Sequence, residues 1–233
     1  MRIALFGYGK MGKMIEQISQ KRGHSIVARI DVGTAEIDYD KIDVAIDFSV
    51  PESAYNNITG CIVAGVPVIS GTTGWLSRYD EVVDLCKKQQ GAFLYASNFS
   101  LGVNIFFELN KVLAGMMAKV KTYEASIDET HHIHKIDAPS GTAITLAEGI
   151  ISETDYTKWA LEHGGENILP IYSHREGEIP GTHEVSYSGA EDQISIKHIA
   201  HGREGFALGA VVAAEWIQGK KGVFSMNDVL NLG

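Results

Sequence analysis

Residues 2–12 read RIALFGYGKMG, an apolar run followed by three glycines with the spacing G-x-G-x-x-G. The run is short and uninterrupted, which is typical of a strand buried on both faces of a parallel sheet. Apolar residues then recur at helical spacing, at Met11, Met14, Ile15 and Ile18. A strand, a glycine turn and a helix in this order predict that the phosphates of a dinucleotide bind at the start of the helix.

Each glycine has a physical role in this interpretation. Gly7 allows the tight turn, Gly9 has no Cβ to block a pyrophosphate, and Gly12 lets the helix pack closely on the strand. The predicted cofactor loop comprises Gly7, Tyr8, Gly9, Lys10, Met11 and Gly12. A glycine turn without a ligand remains the alternative.

Asp31 lies 19 positions after Gly12, where an acid would bind the ribose hydroxyls of the cofactor. A loop carboxylate or a helix cap is the alternative for this residue. The next residue is Val32 and not Arg, so no clamp for a 2′-phosphate is visible, although Lys10 and Lys13 could supply positive charge. We therefore expect NADH, or use of both NADH and NADPH, over strict use of NADPH.

Strands and helices alternate through the first hundred residues, which predicts an α/β fold with a parallel sheet. Ligands bind at the carboxyl ends of such strands. Two polar segments follow predicted strands there and are candidates for the cofactor site, although each alone could be an ordinary turn. The candidate residues are Gly71, Thr72, Thr73, Ala96, Ser97, Asn98 and Phe99.

The second half has a different pattern. Residues 101–121 predict a long helix that is apolar nearly all round, and such a helix is buried. A further helix is predicted over residues 137–151, and a last one over 206–218. Residues 168–175, 183–189 and 193–200 alternate in polarity, as antiparallel strands do. We expect a mixed α and β region with one sheet.

Composition excludes several classes of function. The 233 residues carry a net charge of −9, which does not suit non-specific binding of nucleic acid. No stretch approaches the 18 apolar residues of a membrane span, and the apolar run at the N-terminus is too short for a signal peptide. Cys61 and Cys86 are too few for a disulfide scaffold and fit a reducing cytoplasm.

The densest chemistry lies in residues 129–143, which read ETHHIHKIDAPSGTA. Histidine exchanges protons near neutral pH, and lysine provides a cation for an anionic substrate. Ser140 is a plausible helix cap, so the turn at Ser140, Gly141 and Thr142 would cradle a carboxylate or phosphate. A metal site at His131, His132 and His134 and a solvated loop are the alternatives. We expect no metal, because neither an H-E-x-x-H helix nor a cysteine partner is present.

Other polar residues are weaker candidates, and each could be a surface residue: Arg175, His183, His198, His201 and Arg203.

Together with the glycine loop, the string HHIHKIDAPSGTA resembles the motif of the dihydrodipicolinate reductases (4-hydroxy-tetrahydrodipicolinate reductases) of the bacterial diaminopimelate and lysine pathway. The resemblance extends over essentially the whole chain, through GTTG and SNFS to the closing FSMNDVL. It implies a Rossmann-like dinucleotide-binding domain over residues 1–101, completed by 204–233. It also implies a smaller α+β domain over residues 102–203, which would bind the substrate and form a homotetramer.

The resemblance further implies a reaction and residue roles. NADH or NADPH would reduce 4-hydroxy-tetrahydrodipicolinate, a cyclic imine with two carboxylates, with loss of water. His131 would donate or accept the catalytic proton, and Lys135 would donate one. His132, Ser140, Gly141 and Thr142 would bind the substrate.

Two other functions remain open from the residues. A different nicotinamide reductase would have no reason for histidines and a lysine beside Ser-Gly-Thr, and a semialdehyde dehydrogenase would need a catalytic cysteine after a strand. Cys61 and Cys86 lie on predicted helices. A sensor that binds NAD(H) without turnover would be expected to carry a DNA-binding element, and no basic recognition helix is visible.

Overall fold

A computed structural model describes residues 1–31, 37–162 and 165–232. Within these residues the strands are β1 (Arg2–Phe6), β2 (Ser25–Ile30), β3 (Val44–Asp47), β4 (Val68–Ser70), β5 (Ala92–Tyr95), β6 (Glu124–His131), β7 (Lys158–Leu161), β8 (Ile168–Arg175), β9 (Thr182–Ser188), β10 (Gln193–Ile199) and β11 (Gly222–Phe224). The helices are α1 (Lys10–Lys21), α2 (Pro51–Val63), α3 (Tyr79–Gln89), α4 (Leu101–Met117), α5 (Gly141–Glu153), α6 (Glu204–Ile217) and α7 (Met226–Leu230).

The chain divides into two compact units. Unit 1 comprises residues 1–101 and 204–233, and unit 2 comprises residues 102–203. None of the helices in the described residues has the length and apolarity to span a bilayer.

Unit 1 contains a parallel sheet with strand order β11-β5-β4-β3-β1-β2. Alternate residues of β1 enter two different cores: Ile3 and Leu5 pack on the side of α1 and α6, and Ala4 and Phe6 on the side of α2. Burial on both faces explains the uninterrupted apolar run. The predicted α/β class and parallel sheet are confirmed. Strand β11 was not predicted, because three residues are too few to show a period.

Unit 2 contains a mixed sheet with the order β10-β9-β6-β8-β7. Strands β9 and β10 are antiparallel to their neighbours, but β8 runs parallel to both β6 and β7. The expectation of antiparallel pairing was therefore wrong for β8, and β7 was missed. The physical reason is the connection between the strands. The chain leaves β6 and crosses over through α5 before it enters β7 and β8, and a helical crossover of this kind produces parallel strands.

Helix α5 begins later than predicted, at Gly141 and not at residue 137. Ser140 has extended backbone and caps the helix, so the polar residues before it form a loop. This loop connects β6 to α5 and carries the candidate residues His132, Lys135 and Ser140, while Gly141 and Thr142 begin the helix.

Helix α4 was expected to be buried all round, and within this chain that is wrong. Phe106 and Ala114 pack into the core of unit 2. The opposite side exposes an apolar stripe, with Ile105, Leu109, Val112 and Met116 between 44% and 60% exposed. Only one stripe of a helix can face a sheet, so the other apolar stripe remains on the surface.

Candidate active site

The glycine loop of unit 1 lies between β1 and α1. Gly7 has φ +87°, and a Cβ there would lie 2.1 Å from the carbonyl oxygen of Phe48. A Cβ on Gly12 would lie 2.3 Å from the carbonyl oxygen of Gly7. A Cβ on Gly9 would meet nothing within 4 Å, and no side chain caps α1. Gly9 thus leaves open space at the start of α1, where no side chain accepts from the helix amides, and this fits a pyrophosphate.

The other predicted residues of this loop differ in their surroundings. The Tyr8 hydroxyl donates a hydrogen bond to Glu16, which also pairs with Arg29. The Arg29 guanidinium holds the pKa of Glu16 below its usual value. Lys10 is exposed and Met11 is half-buried. Asp31 is exposed just after β2, while Val32 lies outside the described residues.

Sequence reasoning missed Asp47, a fully buried carboxylate at the end of β3. It accepts hydrogen bonds from four side chains, at 2.7 to 3.1 Å: Ser49, Asn57, Ser70 and Thr72. Asp47 therefore joins the loops that follow β3 and β4. The only signal in the sequence is a charged residue that closes an apolar strand.

The Thr72 hydroxyl is consequently engaged inside the protein, whereas Thr73 is exposed and Gly71 is half-buried. In the next loop, Phe99 is 1% exposed and packs on Phe48 with ring centroids 5.5 Å apart. The Asn98 side-chain oxygen accepts from the amide of Ser100 at 2.9 Å. Ala96 is half-buried and Ser97 is exposed. Thr72 and Phe99 could thus contribute only backbone atoms or shape to a cofactor site.

In unit 2, strand register collects polar side chains on one face of the sheet. Glu129 of β6 lies opposite His183 of β9 and Ser173 of β8, and His131 lies opposite Arg175. Alternate residues of a strand share a face, so all five point to the same side. Earlier in β6, Ala125 and Ile127 occupy the same face and belong to the hydrophobic core. The polar cluster is therefore the continuation of the core face at the carboxyl end of β6.

Glu129 is the centre of this cluster and is fully buried. Its carboxylate accepts from the Ser140 amide at 3.0 Å, from the Ser173 hydroxyl at 2.8 Å and from Arg175 at 3.4 Å. Burial alone would raise the pKa of Glu129. Interactions with His183, Ser140 and Ser173 outweigh burial and hold the pKa far below its usual range. Glu129 is thus a fixed negative charge.

His131 is 8% exposed, and its Nδ1 lies 3.4 Å from a carboxylate oxygen of Glu129 without an aligned hydrogen bond. Its ring meets that of His183 edge-on at 5.0 Å. Burial lowers the pKa of His131 to about 4, although Glu129 acts in the opposite direction. At neutral pH, His131 is therefore a neutral imidazole, which can accept a proton.

The start of α5 has two unpaired donors. The Ser140 amide is bound to Glu129, and the Ser140 hydroxyl accepts from the Ala143 amide at 3.2 Å. Among the described contacts, the amides of Gly141 and Thr142 have no intramolecular acceptor. A Cβ on Gly141 would meet nothing within 4 Å, so the approach is open. These two amides are placed to bind a carboxylate.

Lys135 lies in the loop before α5. Its ammonium group is held by both oxygens of Asp137 at 2.8 Å, and its side chain is 21% exposed. His132 is half-buried and faces the His134 ring at 6.1 Å, and His134 is itself mostly exposed. The structure thus separates the three histidines of the motif: only His131 joins the buried cluster.

Glu129, His131 and His183 present donor atoms within 4.8 Å of one another, as a metal site would require. This set is not the His131, His132 and His134 set considered from the sequence. Arg175 and the Ser140 amide already occupy the carboxylate. The expectation of no metal stays a prediction.

Four of the five residues of the cluster were missed or undervalued from the sequence: Glu129, Ser173, Arg175 and His183. His183 is 5% exposed and is not the surface residue considered above. The available signal was the spacing of two in Glu129 and His131, and in Ser173 and Arg175, which puts each pair on one face. Their meeting depends on strand order and register, which the local pattern does not contain.

Comparison with known proteins identifies the family of this chain. Residues 1–99 match the family model described as dihydrodipicolinate reductase, N-terminus, and residues 102–230 match the C-terminus model. A 4-hydroxy-tetrahydrodipicolinate reductase of Christiangramia forsetii is 53% identical over 99% of this chain and 98% of the relative. The enzyme of the same name from Methanosarcina barkeri is 38% identical over 97% of this chain and 83% of the relative.

Solved structures share the fold. A dihydrodipicolinate reductase from Paenisporosarcina sp. TG-14 superposes with a TM-score of 0.78 at 22% identity, over 97% of each chain. A probable dehydrogenase from Thermotoga maritima superposes with a TM-score of 0.60 at 11% identity, over 98% of this chain and 92% of the other. Both family models and the full-length relatives agree, so the chain belongs to the dihydrodipicolinate reductase family.

Proposed function

We propose that this protein is a 4-hydroxy-tetrahydrodipicolinate reductase of diaminopimelate and lysine biosynthesis. The substrate loses water, gains a hydride and a proton, and becomes tetrahydrodipicolinate, while NADH or NADPH becomes NAD⁺ or NADP⁺. The observation that carries the proposal is the match of the whole chain to enzymes of this name. The open helix start beside Lys135 and His131 supports it, because this reaction needs an anion site next to proton-transfer groups.

The cofactor is assigned to unit 1. The amides at the start of α1 would hold its pyrophosphate, and Asp31 its adenosine ribose. The accessible parts of residues 71–73 and 96–99 would line the nicotinamide end, at the carboxyl ends of β4 and β5. When bound, NADH or NADPH supplies the hydride, and the protein supplies binding, orientation and protons.

The substrate is assigned to unit 2. Its dianion would meet overall repulsion from a chain of net charge −9, so a local positive site is required. The amides of Gly141 and Thr142 would bind one carboxylate, with Ser140 fixing the turn. The Lys135 ammonium would offset the charge nearby, and His132 would contact the substrate.

Proton transfer is assigned to His131 and Lys135. Loss of water requires a base that takes a proton from carbon and an acid that protonates the departing hydroxide. Neutral His131 is suited to accept, and the Lys135 ammonium to donate. After hydride addition to the conjugated carbon, electron density moves towards nitrogen, and the resulting enamine takes up a proton from the same pair.

The direct test mixes purified protein with enzymatically prepared 4-hydroxy-tetrahydrodipicolinate and follows nicotinamide absorbance, with NADH and NADPH in parallel. We expect rapid loss of absorbance with NADH. Cofactor binding without turnover would reject the proposal in favour of another substrate or a sensor.

The same assay decides cofactor preference, which we propose to be NADH or both. Arg29, two residues before Asp31, is engaged by Glu16 and Tyr8 and is therefore not free to bind a 2′-phosphate. A strong preference for NADPH would show that Lys10, Lys13 or the residues after Asp31 supply that clamp.

We further propose a homotetramer, assembled through unit 2, in the cytoplasm. The exposed apolar stripe of α4 supports association, because monomers rarely expose contiguous apolar surface of this kind. The two cysteines are free and buried, as suits a reducing compartment. Light scattering of the purified protein tests the tetramer.

The alternative of a semialdehyde dehydrogenase has no support from the thiols. Cys61 and Cys86 lie inside α2 and α3, and burial raises the pKa of both. A protonated thiol in a helix is not positioned as a nucleophile after a strand. No observation favours a second function.

A further inference from the structure

The loop that carries Lys135 has little packing to hold it. Ile133, His134 and Ile136 have exposed side chains, and Ile136 is 98% exposed. A surface loop of this kind is mobile unless polar contacts fix its backbone. The position of the Lys135 ammonium therefore depends on those contacts.

Arg175, the last residue of β8, provides two of them, beside the backbone bonds from the Ile133 amide to the Gly177 carbonyl and from the Lys135 amide to the His132 carbonyl, both at 3.1 Å. Its Nε donates to the carbonyl of Lys135 at 3.3 Å, and its Nη2 donates to the carbonyl of Asp137 at 2.6 Å. These two carbonyls flank Ile136, and the Asp137 side chain in turn holds the Lys135 ammonium. One guanidinium thus fixes the backbone on both sides of the most exposed residue of the loop.

The Arg175 guanidinium is itself anchored. Its Nη2 lies 3.4 Å from Glu129, the fully buried carboxylate, and its Nη1 donates to the His174 carbonyl at 2.7 Å. The side chain of Arg175 is 20% exposed and Glu129 is fully buried, so their contact is largely shielded from water, whereas the bond to the His174 carbonyl is exposed. The planar guanidinium has five N–H donors in fixed directions, and a lysine in its place could not reach all of these acceptors.

We propose that Arg175 is a positioning residue for Lys135: anchored by Glu129, it holds the loop backbone at residues 135 and 137 and thereby places the ammonium that donates the proton. The inference rests on the proposed function for the role of Lys135. Arg175 acts through Lys135, so its contribution to turnover must disappear when Lys135 is absent.

A double-variant cycle tests this directly. Arg175→Lys should lower kcat roughly 10- to 100-fold, as expected when a catalytic group is misplaced. In the Lys135→Ala background the same change should alter kcat by less than about twofold. Equal losses in both backgrounds would overturn the proposal. The matched control is Arg2→Lys, because Arg2 also bridges a carboxylate and a backbone carbonyl, those of Asp43 and Asp40, but on the surface of unit 1.

A second measurement does not depend on turnover. Trypsin cleaves after lysine, and the bond from Lys135 to Ile136 lies in the loop that Arg175 holds. Mass spectrometry of timed digests should show this bond cut about ten times faster in Arg175→Lys than in the wild type or in Arg2→Lys, because local opening exposes it. Unchanged cleavage at this bond would contradict the proposal.

The kinetic cycle and the tryptic digest distinguish failure of the proposed function from failure of the proposal for Arg175. Absence of turnover in the wild type would reject the proposed function, while the digest would still decide whether Arg175 holds the loop. If Arg175→Lys is misfolded, as judged by circular dichroism and by loss of the cooperative urea transition, Glu129→Gln replaces it. That nearly isosteric variant weakens the anchor and should also speed cleavage after Lys135, and unchanged cleavage would again overturn the proposal.

Discussion

Helices α1 and α5 both present open amides at their first turn, but the two ends are built differently. At α1 the cap is Gly9, and no side chain occupies the amides. At α5 the cap is Ser140, whose amide and hydroxyl are bound within the protein, so only the Gly141 and Thr142 amides remain. A pyrophosphate spreads charge over several oxygens, whereas a single carboxylate needs two donors. The number of free amides therefore matches the proposed ligand of each unit.

The neighbours of the two ends differ as well. Near α1 the buried carboxylate Asp47 is surrounded by hydroxyl and amide donors, which fix loops without exchanging protons. Near α5 the buried carboxylate Glu129 is surrounded by two histidines and an arginine. Under the proposed function, the start of α1 would only hold a ligand, whereas the surroundings of the start of α5 would also transfer protons.

The largest expected effect tests this division between binding and proton transfer. Lys135→Ala should lower kcat about 10²- to 10⁴-fold, the usual contribution of a general acid. NADH binding, measured by fluorescence titration, should be unchanged, because the residues assigned to the cofactor lie in unit 1. Lys121→Ala is the control, since Lys121 pairs with Asp155 on the surface. Wild-type turnover in Lys135→Ala would remove Lys135 from the mechanism.

The next effect compares the two helix ends directly. A methyl group on Gly9 or on Gly141 meets no protein atom, so both alanine variants should fold with Tm nearly unchanged. Gly9→Ala should raise the KM for NADH about 100-fold by blocking the pyrophosphate, with little change in the substrate KM. Gly141→Ala should show the reverse pattern, with a substrate KM raised roughly 10-fold.

The proposed assignment of one ligand to each helix start would be contradicted if each variant changed the KM of the other ligand. If Gly9→Ala raised the substrate KM and Gly141→Ala raised the NADH KM, the two ligands would have to be exchanged between the units. Gly7→Ala would not serve this purpose, because its methyl group would collide with the Phe48 carbonyl and disturb the fold.

The starts of α1 and α5 also show how much of the candidate site could be predicted from the sequence. The glycine loop and the start of α5 were predictable, because caps and tight turns depend on residues that are neighbours in the chain. Asp47, Glu129 and Arg175 were not assigned, because their roles depend on residues from other strands and loops. His183 illustrates the limit: on an alternating strand it had the pattern of a surface residue, and register with β6 places it in the buried cluster.

A smaller effect concerns pH. The pKa of His131 is about 4 in the folded protein against 6.5 for an unperturbed histidine, so the unfolded chain binds more protons between these values. Stability must therefore fall as pH falls through this window. From pH 7 to pH 5 the contribution of His131 amounts to about 2 kcal/mol. Glu129 loses its own contribution only at lower pH, because an unperturbed glutamate takes up its proton near pH 4.5 and the pKa in the folded protein is lower still.

Urea unfolding at pH 7 and pH 5 measures this change. In His131→Asn the loss between the two pH values should be smaller than in the wild type by about 2 kcal/mol, because Asn cannot take up the proton. Equal losses in both proteins would mean that the fold does not lower the pKa of His131. A smaller loss in the wild type than in His131→Asn would mean that the pKa is raised, and the assignment of His131 as a neutral proton acceptor would then fail.

The smallest effect compares two serine caps. Ser140→Ala removes the acceptor for the Ala143 amide and the partner of His183 Nε2, at 3.1 Å, from a site that is 3% exposed. Ser225→Ala, at the start of α7, removes a hydroxyl that donates to Asp228, while the Ser225 amide keeps its own bond to that carboxylate. We expect losses of about 2 kcal/mol and about 0.5 kcal/mol by urea unfolding. Equal losses would mean that the contact between Ser140 and His183 contributes nothing beyond the cap on the Ala143 amide.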